Sequence, residues 1–235
     1  MSEPSVNVSS PRSRSALDTR TVACLGMLCA VAYVVMYISK TLLAPIRFGG
    51  FLTLDMKDTI IAISGFLFGP IHAFAVSVVT SLIEMVTHSE TGPVGLLMNV
   101  LSSCAFVCPA AWLYQKRRHS LSGAVQGLAL GVVCQVLVML LWNYLVTPLY
   151  QHIPRDVVAG MLLPVFLPFN LIKSVLNSAF TLVLYKPVVT ALRKANLAPE
   201  SRSGDAASTR GGVILLCVVV AASAILLSLV LTDVI

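Results

Sequence analysis

Two segments, WNYLVTPLY at residues 142–150 and FLPFNLIKSVLNSAFT at residues 166–181, set polar side chains into otherwise apolar sequence. The first places Asn143 at the end of one apolar run, and the second places Asn170, Lys173, Ser174, Asn177 and Thr181 at the start of the next. Spacings of three, four and seven residues put these five side chains along one side of a helix. A lysine inside a membrane-length apolar segment costs about 2.5–3.5 kcal/mol on insertion scales, so it is expected to face an interior partner or a cavity. The stripe predicts one wall of a ligand pocket, with the remainder of the chain as the cage around it.

Composition supplies the setting. Of 235 residues, 57% are hydrophobic and 11% are charged, whereas soluble domains carry about 25% charged residues. An all-α integral membrane protein of six or seven spans follows, with no room for a separate soluble catalytic domain. The net charge of +6 comes from basic residues between apolar runs, a topology signal rather than a nucleic-acid surface. All six cysteines lie within apolar runs. Cys104 and Cys108 share a helix face with no histidine or further cysteine beside them, so they read as small buried thiols rather than zinc ligands.

Residues 1–19, rich in Ser, Pro and Arg, predict a disordered cytoplasmic tail. Residues 20–195 predict a six-helix membrane domain. Span one, near 21–39, carries Gly26 and Ala30, a small-x-x-x-small pair that lets another helix approach closely. The loop 40–53 contains APIRFGGF and reads as irregular. Asp55, Lys57 and Asp58 open span two, which ends at Phe68, and either aspartate suits the cap of its positive N-terminus. After the Gly69-Pro70 turn, span three (71–86) aligns Ser77, Ser81 and Glu84 on one face. Span four (94–114) carries Asn99 one turn in. Span five (121–146) carries Gln135, Met139 and Asn143 at four-residue intervals and is expected to stop before Pro148. A loop to residue 163 leads into span six, near 166–189. A polar linker (196–212) and an additional C-terminal transmembrane helix (213–233) close the chain, the last run having the character of a lipid-facing anchor.

With the N-terminus inside, the inner segments collect Arg12, Arg14, Arg20, Lys116, Arg117, Arg118, Lys186, Arg193, Lys194, Arg202 and Arg210. The outer loops hold Lys40, Arg47, Lys57 and Arg155, which sets the orientation by the positive-inside rule. Asn143 and Glu84 then end outward-running helices while Asn99, Asn170 and Lys173 begin inward-running ones, so all five lie at one depth in the outer half of the membrane. No phosphate loop, nucleophile elbow or zinc-protease motif occurs, and no carboxylate pair lies within a span as a proton relay requires. The chain reads as able to bind a ligand without any means of driving its movement.

The motifs LTLDMKD (52–58), GFLFGP (65–70), TGPVG-x-x-x-N (91–99), NYLVTPLY (143–150) and PFNLIKSVLNS (168–178) resemble the substrate-binding S component of energy-coupling-factor (ECF) vitamin transporters, and within it the riboflavin-specific group. The resemblance covers residues 20–195. It implies a six-helix S-component bundle in a prokaryotic cell membrane that captures a vitamin from outside without enzymatic activity or cofactor of its own. It further implies docking onto a transmembrane T component and two ABC ATPase subunits. By the same resemblance Asn143, Asn170 and Lys173 contact riboflavin, and Gly26 and Ala30 contact the T component. Asn99, Glu84 and Asn177 join the expected pocket, with Phe51 and Leu52, alongside Phe48, Trp142 and Tyr144, as slot or lid residues for a flat ring. Asparagine can donate and accept and lysine donates three bonds, which suits a uracil-like edge and a hydroxylated chain. Ser77 and Ser81 stand where the riboflavin group carries an acidic residue and an asparagine, which leaves an S component for folate or pantothenate as the alternative. A self-sufficient proton-coupled carrier and a membrane enzyme using Glu84, Lys173 and a serine are the readings from other classes.

Overall fold

The computed structural model of the protein describes residues 19–88 and 91–197. The expected N-terminal tail, nearly all of the polar linker and the last hydrophobic helix lie outside the described residues. The chain runs through α1 (Thr19–Leu42), a hairpin of β1 (Arg47–Phe48) and β2 (Leu52–Thr53), α2 (Lys57–Phe68), α3 (Pro70–His88) and α4 (Gly92–Lys116). It continues through α5 (Leu121–Gln151), α6 (Arg155–Met161), a π-helical turn (Leu162–Phe166) and α7 (Leu167–Lys194). Among the described residues, five stretches are long and apolar enough to cross a membrane: α1, α3, α4, α5 and the continuous helical run Arg155–Lys194.

The stretch expected as span two is a different object. At 12 residues α2 rises about 18 Å, well short of the roughly 30 Å of a bilayer's hydrocarbon. Every residue from Lys57 to Phe66 is buried, with α1, α3, α4 and α7 packed around it. Ile60, Ile61, Ile63 and Phe66 face in different directions yet all lie in the main hydrophobic core, as expected of a helix enclosed on all sides.

Backbone close approach fixes the pairing of α4 with α5. Gly123, Gly127 and Gly131 recur every four residues on one line of α5. A Cβ on Gly127 would come within 2.6 Å of the Ala110 carbonyl oxygen, and one on Gly131 would collide with that of Phe106. Only hydrogen fits between these helices, the small-residue packing that membrane helices favour.

Three connections depart from the sequence expectation. The loop 40–53 contains an antiparallel hairpin that pairs Arg47 with Thr53 and Phe48 with Leu52. It turns on Gly49 (φ +58°) and Gly50 (φ +82°) and is held down by Phe48 and Leu54 against Phe169 and Ile172 of α7. Pro148 does not stop α5, which accepts the loss of one backbone donor and runs a turn further to Gln151. Residues 155–161, expected as loop, form α6. Pro164 and Pro168 lack the N–H groups that a continuous α ladder needs, and the Leu167 N–H reaches back five residues to the Leu162 carbonyl.

Candidate ligand-binding site

The hairpin, α1, the start of α2 and the ends of α3, α4, α5 and α7 that share its level meet around two adjoining cavities. The first, about 180 Å³, lies between the hairpin (Phe51, Leu52, Thr53), the first turns of α4 (Asn99, Ser102), the last turns of α5 (Met139, Asn143, Tyr150) and the start of α7 (Phe169, Asn170, Lys173). The second, about 330 Å³, extends towards Glu84, His88 and Arg47. They share Lys40, Phe51, Thr53, Thr91 and Asn99 as a common wall. Together they reach the size of small-molecule sites, about 300–1,000 Å³.

In the cavity walls and just behind them lies a network of largely buried charge. Lys57, fully buried, donates to Glu84 Oε2 at 2.5 Å, and Lys40 donates to Glu84 Oε1. Lys173 donates to Asp55 Oδ2 at 2.9 Å and has Asp58 Oδ2 at 3.8 Å. Ser103 Oγ donates to the other oxygen of Asp58. Three ammonium groups thus face three carboxylates. Isolated charges in a low-dielectric interior are very costly, and pairing with hydrogen bonds makes this arrangement tolerable.

Asp55 and Asp58 are therefore not the helix caps expected of them, because α2 begins without any side-chain cap of its own. That task falls to Asn177 of α7, whose Oδ1 accepts from the Thr59 N–H and the Thr59 hydroxyl, both at 2.9 Å. Asn177 Nδ2 donates to the Asp55 and Lys173 carbonyls. With its amide fully used on protein groups, Asn177 ties α7 to α2 and does not line either cavity. Lys57, counted from sequence as an outer-loop charge, is likewise buried at the start of α2. The carboxylate pair not seen within a span exists as Asp55 and Asp58, brought together on Lys173.

Of the other residues singled out from sequence, Asn143, Asn170, Lys173, Asn99, Phe51 and Leu52 converge on the first cavity. Glu84 lines the second, already engaged by two lysines. Asn143 Nδ2 donates to the Met139 carbonyl at 2.7 Å and Asn170 Nδ2 to that of Phe166 at 2.8 Å. These bonds within each helix aim the amides and leave each a second N–H. Phe51 packs edge-on against Tyr150 and Phe166, closing an aromatic corner at the cavity. Trp142 and Tyr144 do not line it, whereas Tyr150 and Phe169 do. The second Tyr of N-Y-x-x-x-P-L-Y, two residues beyond Pro148, is the signal that would have found Tyr150. Gly26 and Ala30 sit apart from both cavities on an exposed side of α1.

The arrangement can enclose a flat, partly polar molecule between aromatic side chains, with amides and a paired lysine at its edge.

Comparison with known proteins agrees. The chain is 29% identical over 182 residues to the riboflavin transporter RibU of Staphylococcus aureus, covering 72% of this chain and 90% of that protein. It is 27% identical over 201 residues to the riboflavin transporter FmnP of Bacillus subtilis, covering 77% of this chain and all of that protein. A solved structure reported under the description "Structure and mechanism of the S component of a bacterial ECF transporter" superposes with a TM-score of 0.62 at 27% identity, over 74% of this chain and 98% of that one. The family model described as "ECF transporter, substrate-specific component" matches residues 20–185. A helical membrane cage, a polar-edged cavity and that match across most of the chain lead to one conclusion: this protein belongs to the family of substrate-specific components of ECF transporters.

Proposed function

We propose that the chain captures riboflavin at the outer face of a prokaryotic cell membrane and passes it to an ECF-type transporter complex. The observation that carries this reading is the cavity that joins Asn143, Asn170 and Lys173 to Phe51, Tyr150 and Phe169. An isoalloxazine ring needs that combination, an aromatic slot with amide donors and acceptors at its rim. The riboflavin transporters among its relatives support the same choice.

The charge network also supports riboflavin over the carboxylate-bearing alternatives. Folate and pantothenate carry carboxylates, and a site for them needs a cation to spare. Here Lys173 is already matched by Asp55 and Asp58, which favours a neutral ligand. Riboflavin on this reading is cargo, and no resident cofactor takes part.

Transport needs partners: a transmembrane T component and two ATPase subunits, with the N-terminus of this chain on the cytoplasmic side. Gly26 and Ala30 fit the T-component contact because their side of α1 is uncovered, and a Cβ placed on Gly26 meets nothing within 4 Å.

The test is the colour of the protein. Purified in detergent from riboflavin-replete cells, the wild type is expected to carry flavin absorbance, and Asn170→Ala with Lys173→Ala to lack it. A colourless wild type that also fails to quench added riboflavin fluorescence would overturn the choice of ligand.

A further inference from the structure

Among the polar groups lining the first cavity, Asp55 stands out. Its residue is 2% exposed, its Oδ2 is fixed by Lys173 at 2.9 Å, and its backbone carbonyl is fixed by Asn177 at 3.1 Å. Its Oδ1 is buried without a hydrogen-bond partner, although the residue lines the cavity. Buried carboxylate oxygens are rarely left unsatisfied, because water gave them partners before folding. The Oδ2 of Asp58 also lacks a hydrogen bond, but Asp58 does not line the cavity and that oxygen faces Lys173 at 3.8 Å. Ser81 and Gln135 each keep an unpartnered oxygen away from the cavity wall.

Resting on the flavin reading of this cavity, we infer that Asp55 is a specificity-determining ligand contact, whose free oxygen accepts a hydrogen bond from a neutral N–H or O–H of the bound molecule. The amides of Asn143 and Asn170 offer donor and acceptor alike, so either can suit a ligand acceptor or a ligand donor. A carboxylate held against an ammonium can only accept. Asp55 therefore demands a donor at one fixed point, and a ligand without it leaves the oxygen as orphaned as it is in the empty cavity. Riboflavin offers two kinds of neutral donor, the ring imide N–H and the hydroxyls of its ribityl chain.

Three ligands separate these: riboflavin, its N3-methyl derivative, which lacks the imide donor, and lumiflavin, in which a methyl replaces the ribityl chain. Dissociation constants come from fluorescence quenching with detergent-purified protein. Wild type is expected to bind one of the two analogues at least tenfold more weakly than riboflavin. In Asp55→Asn the amide oxygen turns to Lys173 and the NH₂ takes the place of the free oxygen, so a donor meets a donor. Riboflavin binding is expected to fall at least tenfold, and the penalty for the analogue that lacks the matching donor to shrink towards one. The other analogue should keep its wild-type ratio to riboflavin, a pattern that a merely structural role would not produce.

Equal weakening of all three ligands, or no weakening, overturns the inference while leaving the flavin reading intact. A wild type that binds none of the three overturns the flavin reading and this inference with it. Should Asp55→Asn fail to purify folded, Asp55→Glu keeps the ion pair but moves the free oxygen by a methylene. It carries the same expectation for the analogue ratios.

Discussion

Removing the Lys173 ammonium would strand two carboxylates that now share it, so on the proposed function this side chain serves stability as well as binding. Lys173→Ala should weaken riboflavin at least tenfold, about 1.5–3 kcal/mol for a charge-assisted hydrogen bond, and also lower the thermal unfolding midpoint in detergent. Asn170→Ala, whose amide bonds only within its own helix, should weaken binding with far less effect on the midpoint. Equal midpoints for the two variants would show that the Lys173 pairs contribute nothing to the fold. Glu84→Gln tests the other half of the network. It leaves Lys57 fully buried without its hydrogen-bonded carboxylate, at a cost of about 3–5 kcal/mol, and a variant as stable as wild type would contradict that pairing. Lys173, Asn143 and Asn170 were legible in sequence because each interrupts a long apolar run. Asp55, Lys57 and Asp58 were not, because charges at a helix start are ordinarily exposed. What buries them is Asn177 and Glu84, 118 and 27 residues away from their partners on α2, and that separation leaves no local trace.

At the scale of elements, hydropathy located every long helix among the described residues; it took the short α2 for a span, and its other errors fall at the joints. Pro148 reads as a stop, yet a helix held on both sides by neighbours tolerates one missing hydrogen bond. The hairpin's strands are two residues each, too short for alternation to register, and they exist because Phe48 and Leu54 have Phe169 and Ile172 to pack on. The glycine line of α5 gives the sharpest expectation at this scale. Gly131→Leu would drive a side chain into the Phe106 carbonyl and should destabilise by about 1–3 kcal/mol or more, read as a lower unfolding midpoint. Gly26→Leu, with open space around it, should leave the midpoint unchanged. Were both substitutions equally harmless, the α4–α5 contact would be looser than described.

For the whole molecule, the proposed docking surface is the side of α1 around Gly26 and Ala30, apart from both cavities. Gly26→Trp should retain riboflavin binding by the isolated chain and abolish ATP-dependent uptake once the T component and ATPases are reconstituted with it. Uptake at the wild-type rate would move the docking surface elsewhere. The enclosed position of α2 has a consequence for how the protein is made. An insertion machinery that admits segments one at a time by their greasiness has little reason to admit a helix of only twelve residues that opens with two charges, Lys57 and Asp58. The segment becomes acceptable only when Glu84 and Lys173 are there to receive it. Residue 173 is translated well after residue 57, so on this argument α2 would settle between its neighbours only after the last of the described helices emerges. The charge pairs would thereby set an order of assembly, with the centre of the molecule put in place late.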